Sequence, residues 1–174
     1  MHLNAENTND VSADLYALSE NSNFVICSGA KSILDLSKTN ELLETLGITR
    51  IGYQTNYMPG FWYYNTDKKV DHNFSNINEL VDYLKIRDHI DQTGSILIFN
   101  PVPKNKSIDE KLIQKWIKLS IDKAKINSIK GKELTPFLIK EINKMSENKT
   151  LEANIELIIN NAALAGKLAK KYYS

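Results

Sequence analysis

The sequence predicts an α/β protein: a parallel sheet in a three-layer α/β/α arrangement, here a partial version with a helical C-terminal portion. Three observations predict it. Short apolar runs at Phe24–Cys27 (FVIC), Ile48–Tyr53 (ITRIGY) and Ser95–Phe99 (SILIF) read as strands, and the first and last are apolar enough for burial on both faces, as parallel pairing requires. Segments with helical apolar spacing lie between them. After Ser107 helical spacing alone continues to the end of the chain.

Each element has its own signal. Met1–Asn9 is polar and without period. In Asp10–Glu20 (DVSADLYALSE), Val11, Leu15 and Leu18 stand at helical spacing. Phe24–Cys27 is the first strand. From Ser32 to Leu46 the apolar Ile33, Leu34, Leu36, Leu42, Leu43 and Leu46 predict a helix, stopped by Gly47. Ile48–Tyr53 follows as the second strand. Asn56–Asn73 is irregular and aromatic around Met58-Pro59-Gly60-Phe61-Trp62-Tyr63-Tyr64, a loop folding over something. Ile77–Ile90 is a further helix and Ser95–Phe99 the third strand, ended by Asn100-Pro101-Val102-Pro103. Helices are expected at Ile108–Asn127, at Thr135–Met145 opened by Pro136, and at Leu151–Tyr172. With no repeat and no internal linker, residues 1–174 read as one domain. Three strands make a thin sheet with open edges unless further chain completes it.

Composition excludes several classes. The 42% hydrophobic and 25% charged content is that of an ordinary soluble globule. A net charge of +1 argues against a dedicated nucleic-acid or membrane-surface binder. No apolar run reaches transmembrane length and no basic segment precedes an apolar stretch, so a cytoplasmic protein is expected. The single cysteine, Cys27, excludes an internal disulfide and reads as a small hydrophobe in a strand.

Candidate chemistry gathers at strand ends and helix starts. Lys31 stands out: the strand Phe24–Cys27 and the small residues Ser28-Gly29-Ala30 deliver it to the start of the next element. A lysine at a strand's carboxyl end is placed to lose water around its amine, which frees a nucleophile for Schiff-base chemistry with an aldehyde or ketone. The competing reading is a surface lysine opening an amphipathic helix. Asp10 and Asp14 lie four apart, on one face of a helix; a hard cation such as Mn²⁺ or Mg²⁺ would take one of them with waters, or Asp10 simply caps the helix. Free amides at that N-terminus, with the Ser12 hydroxyl, equally suit a phosphate. Asn100–Pro103 follows a strand, where open α/β sheets place ligands, or is a rigid turn. In the last helix Asn154, Asn160 and Asn161 offer amides suited to a pyrimidine edge, or to satisfied positions in the fold. His72 and His89 lack metal-like spacing and read as surface residues. No GxGxxG, Walker loop, HExxH or GxSxG occurs.

Taken together, Asp10–Leu15 (DVSADL), Val25–Leu36 (VICSGAKSILDL), Leu43–Thr55 (LETLGITRIGYQT), Asn100–Pro103 (NPVP), Gly131–Leu138 (GKELTPFL) and Leu151–Ala162 (LEANIELIINNA) resemble the pseudouridine-5′-phosphate glycosidase family, in family order and spacing. The resemblance implies cleavage of the carbon–carbon glycosidic bond of pseudouridine 5′-phosphate to uracil and ribose 5-phosphate. Ordinary glycosidases protonate a leaving oxygen; here the leaving atom is a ring carbon, and opening the ribose with addition of an amine at C1′ provides a route for the electrons. It implies Lys31 as covalent nucleophile and Asp10 as ligand of a divalent cation, Mn²⁺. It also places Ser12, Ala13 and Asp14 at the sugar phosphate and Asn154 at the nucleobase or sugar, and suggests a homotrimer.

The match reaches only the C-terminal part of that family. The family's glutamate proton donor and a further substrate-binding lysine have no counterpart in these residues, and such a donor is usually worth ~10²–10⁴ in rate. A fragment of an enzyme, a truncated gene model and a natural non-catalytic remnant that binds sugar phosphate or a partner chain are the expectations this leaves. A Schiff-base aldolase is a third reading, which predicts imine formation without uracil release.

Overall fold

The computed structural model describes residues 11–90 and 93–174. Asp10 and the polar stretch Met1–Asn9 lie outside the described residues.

Ser12 opens the first helix, α1 (Ala13–Glu20), by accepting the Asp14 amide at 3.3 Å. The helix starts three residues later than its apolar spacing suggests, with Ser12 as its cap. Strand β1 (Phe24–Cys27) follows, as expected. The helix expected from Ser32 instead begins as α2 (Leu36–Thr45). Asp35 caps it by accepting the Lys38 amide at 3.0 Å, and the Ser32 hydroxyl is drawn away to the Gly60 carbonyl, so residues 31–34 form a turn. Strand β2 (Thr49–Tyr53), β3 (His72–Phe74), helix α3 (Ile77–His89) and β4 (Ile96–Phe99) complete the α/β portion. Helices α4 (Glu110–Ile126), α5 (Leu134–Met145) and α6 (Lys149–Tyr172) form the helical portion.

The sheet is parallel throughout with order β1-β4-β2-β3. Its fourth strand corrects the expectation of three. His-Asn-Phe is too short and too polar to announce itself; pairing with β2 makes it a strand. Asp71, just before it, accepts the Arg50 backbone amide at 2.8 Å and its guanidinium at 2.5 Å, and His72 and Phe74 pack on Tyr83. Both arginines are structural: Arg87 donates to Thr49 Oγ1 at 2.7 Å and to the carbonyls of Thr93 and Gly94, tying α3 to central strand β2 and to the segment that leads into β4.

The three layers are present. On one face Leu80, Val81 and Leu84 of α3 and Leu168 of α6 pack on Ile51, Ile96 and Ile98. On the other, Leu15 of α1 and Leu43 of α2 cover Leu97 and Phe99. A third cluster joins α4, α5 and the first half of α6 (Ile113, Trp116, Ile142, Ala153, Leu157) to Trp62 and Val102, past the carboxyl ends of the strands. The candidate residue Lys31 follows β1 at that end.

Candidate functional site around Lys31

Where β1 ends, the chain turns sharply through Ser28–Leu34 and is held on three sides. The Ser28 hydroxyl donates to the Asn100 carbonyl at 2.8 Å, and the Asn161 amide of α6 bonds Ser28 Oγ and Asn100 Nδ2, both at 3.1 Å. The Phe61 amide donates to the Ser28 carbonyl at 3.1 Å. Gly29 has φ +86°, and a Cβ built there would stand 2.1 Å from the Pro59 carbonyl oxygen, so the turn admits only glycine. Ser28 and Ser32 are hydrogen-bonded to other segments, whereas the Lys31 side chain is exposed.

Lys31 faces a cleft of about 610 Å³ between α1, the β1 turn and the 58–61 loop, with Ser12, Asp14, Cys27, Phe61 and Thr135 among its walls. The structure therefore brings Lys31, Ser12 and Asp14 into one cavity. The Ser12 hydroxyl donates to the Asp14 carboxylate at 3.0 Å, so the two are organised as a unit. Ala13 heads α1 but is not in the cleft wall. Asn154 lies apart: its Oδ1 accepts the Trp62 indole N–H at 2.7 Å, fastening α6 to the aromatic loop. Lys31 does not lose its water as the strand-end position suggested, because the cleft is open to solvent among the described residues.

Sequence reasoning did not single out Phe61 or Thr135 as cleft residues. The run Met58–Tyr64 did signal a loop folding over something, and the cleft is what it folds over. Cys27 is half-buried in the cleft wall. Burial pushes its thiol up to about 11, with a Gly29 backbone hydrogen bond acting weakly in the other direction; it is an inert wall and not a nucleophile.

Among the described residues no group of three His, Cys, Asp or Glu is arranged to hold a metal ion. Asp14, the one carboxylate in the cleft wall, is exposed and engaged by Ser12. These residues alone do not fit a divalent cation. Among the described residues no helix is long and apolar enough to cross a membrane.

Residues 1–171 match the family model described as indigoidine synthase A like protein. A pseudouridine-5′-phosphate glycosidase of Petrotoga mobilis is 42% identical over 172 residues, 99% of this chain and 56% of that protein. The namesake protein of Alkaliphilus metalliredigens is 41% identical over 97% of this chain and 55% of its own length. Among solved structures, a prealnumycin C-glycosynthase in complex with ribulose 5-phosphate superposes with a TM-score of 0.91 at 26% identity, over 98% of this chain and 56% of that one. An indigoidine synthase A-like protein of Thermotoga maritima gives 0.80 at 33% identity, over 92% and 53%. The chain thus spans about half the length of the relatives it matches. With a family model covering it almost end to end, the chain belongs to the indigoidine synthase A like family and matches about half of relatives named pseudouridine-5′-phosphate glycosidase.

Proposed function

We propose that this chain carries the sugar-phosphate half of a pseudouridine-5′-phosphate glycosidase site, with Lys31 as the amine that bonds C1′ of the opened ribose. The observation that supports this most is the convergence, in one cleft, of an exposed lysine on a rigid loop with the Ser12–Asp14 pair at a helix start. A fixed backbone beneath a free amine is the geometry an attacking nucleophile needs, since orientation carries much of the barrier reduction. The ribose ring opens as the C1′–O4′ bond breaks, O4′ leaving with the electron pair and taking up a proton while the uracil ring, losing its N1 proton, feeds electrons to C1′. The amine then adds at C1′ and gives up a proton. The C1′–C5 bond breaks with its electron pair going to the uracil ring, whose C5 has taken up a proton, leaving the imine. Water then hydrolyses the imine, returning the amine and ribose 5-phosphate. The Ser12 hydroxyl and the first-turn amides of α1 suit the phosphate or a sugar hydroxyl, with Asp14 orienting Ser12. Asp10 as holder of Mn²⁺, Ala13 as a backbone contact and Asn154 as a nucleobase or sugar contact belong to the same proposal, and no step is routed through the metal.

A second reading, a module that binds sugar phosphate without cleaving the C-glycoside, is favoured by one observation: among the described residues Asp14 is the one carboxylate in the cleft wall. Incubation with pseudouridine 5′-phosphate under cyanoborohydride separates the two. The glycosidase reading expects free uracil in step with a pentose-phosphate adduct on the protein. Adduct formation from ribose 5-phosphate with no uracil from pseudouridine 5′-phosphate overturns it in favour of the module or an aldolase.

A further inference from the structure

We propose that Asn161 of α6 is a positioning residue for the Lys31 amine and acts through the Ser28 hydroxyl, a role that rests on the imine-forming reading of Lys31.

Ser28, Asn100 and Asn161 close a ring of hydrogen bonds beneath the Lys31 turn. The Ser28 hydroxyl donates to the Asn100 carbonyl at 2.8 Å, and the Asn100 side-chain amide donates to Asn161 Oδ1 at 3.1 Å. Asn161 Nδ2 completes the ring by donating to Ser28 Oγ at 3.1 Å. Position 161 must therefore accept and donate at once, which an asparagine does from one planar group. An aspartate keeps the acceptor and loses the donor; an alanine loses both. Ser28 is 2% exposed and Asn100 7%, so water competes little for these bonds.

The fold does not need the ring to stand. Strands β1 and β4 are already paired, and the Asn100 amide donates to the Cys27 carbonyl at 2.8 Å. Helix α6 is already seated by Leu168 on one core cluster and by Ala153 and Leu157 on another. What the ring adds is a hold on Ser28, where the ladder ends and the turn toward Lys31 begins. The other holds come from the aromatic loop: the Phe61 amide on the Ser28 carbonyl at 3.1 Å, and the Gly60 carbonyl on the Ser32 hydroxyl. Asn161 adds a hold from a second element. A lysine amine rides on a flexible four-carbon stem, so its accuracy depends on the backbone that carries it. A misplacement of about 1 Å costs on the order of 10²-fold in rate.

The adjacent Asn160 supplies the comparison. It donates to the Pro101 carbonyl at 3.1 Å, fastening the same helix to the segment after β4 without engaging Ser28. Among the described residues neither asparagine walls the Lys31 cleft, so an effect of Asn161 on the amine travels through the turn.

The test follows capture of ribose 5-phosphate by the 174-residue chain under excess cyanoborohydride. The Lys31 amine condenses with C1 of the open-chain aldehyde, water leaves, and hydride from the reductant fixes the imine as a secondary amine. Peptide mass at Lys31 against sugar concentration separates the limiting rate from the half-saturating concentration. Asn161→Ala is expected to lower the limiting rate about tenfold, with half-saturation within about twofold of the parent and the same circular dichroism. Asn160→Ala keeps both values. Ser28→Ala opens the same ring from the strand side, so it decides the matter if Asn161→Ala does not fold. The double variant of Ser28 and Asn161 is expected to be no slower than Ser28→Ala, as groups acting in series require. Amide exchange at Gly29 and Lys31 quickens in Asn161→Ala and not in Asn160→Ala. A merely structural asparagine would lower stability and leave this split unmoved.

An unchanged limiting rate in Asn161→Ala, an equal loss in Asn160→Ala, or multiplied losses in the double variant overturns the positioning role while capture by the parent stands. A parent chain that captures no sugar at Lys31 overturns the imine-forming reading itself, and the positioning role with it.

Discussion

In the proposed reaction Lys31 would act from a turn whose neighbouring residues are held in place. Ser28, Gly29 and Ser32 are each committed to another segment, and only the lysine side chain projects from the turn. Gly29→Ala would place a Cβ at positive φ against the Pro59 carbonyl. The expected cost is about 1–3 kcal/mol in urea unfolding, together with slower reductive capture at Lys31. Cys27 shares the cleft but not the reactivity: with its thiol pushed up to about 11, roughly one molecule in a thousand is thiolate at pH 8. Native protein should therefore react with iodoacetamide far more slowly than unfolded protein; equal rates would refute the burial. Lys31 and the Ser12–Asp14 pair were legible in the sequence because small residues before a lysine and a Ser-x-Asp start leave local signals. Phe61 and Thr135 were not, since they reach the cleft through tertiary folding.

At the scale of elements, the strands that could be read were those with enough apolar residues. Phe24–Cys27 carries its own pattern, whereas His72–Phe74 depends on Arg50 and Asp71 from its surroundings. Burial pushes the Asp71 carboxyl up, but hydrogen bonds from the Arg50 side chain and backbone, with the charges of Arg50 and His72, outweigh it and hold the group below its ordinary value. A carboxyl lowered in the folded state contributes in full above the usual aspartate range, about pH 4. It loses that contribution as pH falls through the lowered value. Asp71→Asn should therefore reduce stability at neutral pH and flatten its decline in acid; an unchanged acid limb would contradict this. The helix expected from Ser32 failed for a related reason. Its apolar spacing is genuine, but the Asp35 cap and the Ser32 bond to Gly60 delay the start to Leu36. In α6, Asn154 satisfies the buried Trp62 indole. Asn154→Ala leaves that N–H unpaired and should cost about 1–3 kcal/mol, measured by denaturant unfolding.

Across the whole molecule, the three-layer architecture was legible because alternating strand and helix patterns leave few alternatives. The arrangement of the cleft was not. It depends on α1, the β1 turn and an aromatic loop meeting at the carboxyl end of the sheet, contacts that no local pattern records.

The central claim, that Lys31 is an imine-forming amine in a sugar-phosphate cleft, is tested most directly by borohydride reduction with ribose 5-phosphate and Mn²⁺, read by intact mass and peptide mapping. The account predicts a single pentose-phosphate adduct on Lys31, absent in folded Lys31→Ala and weaker with ribose lacking the phosphate. A folded protein with no adduct, or with adducts spread over its exposed lysines and unchanged by Lys31→Ala, would contradict it.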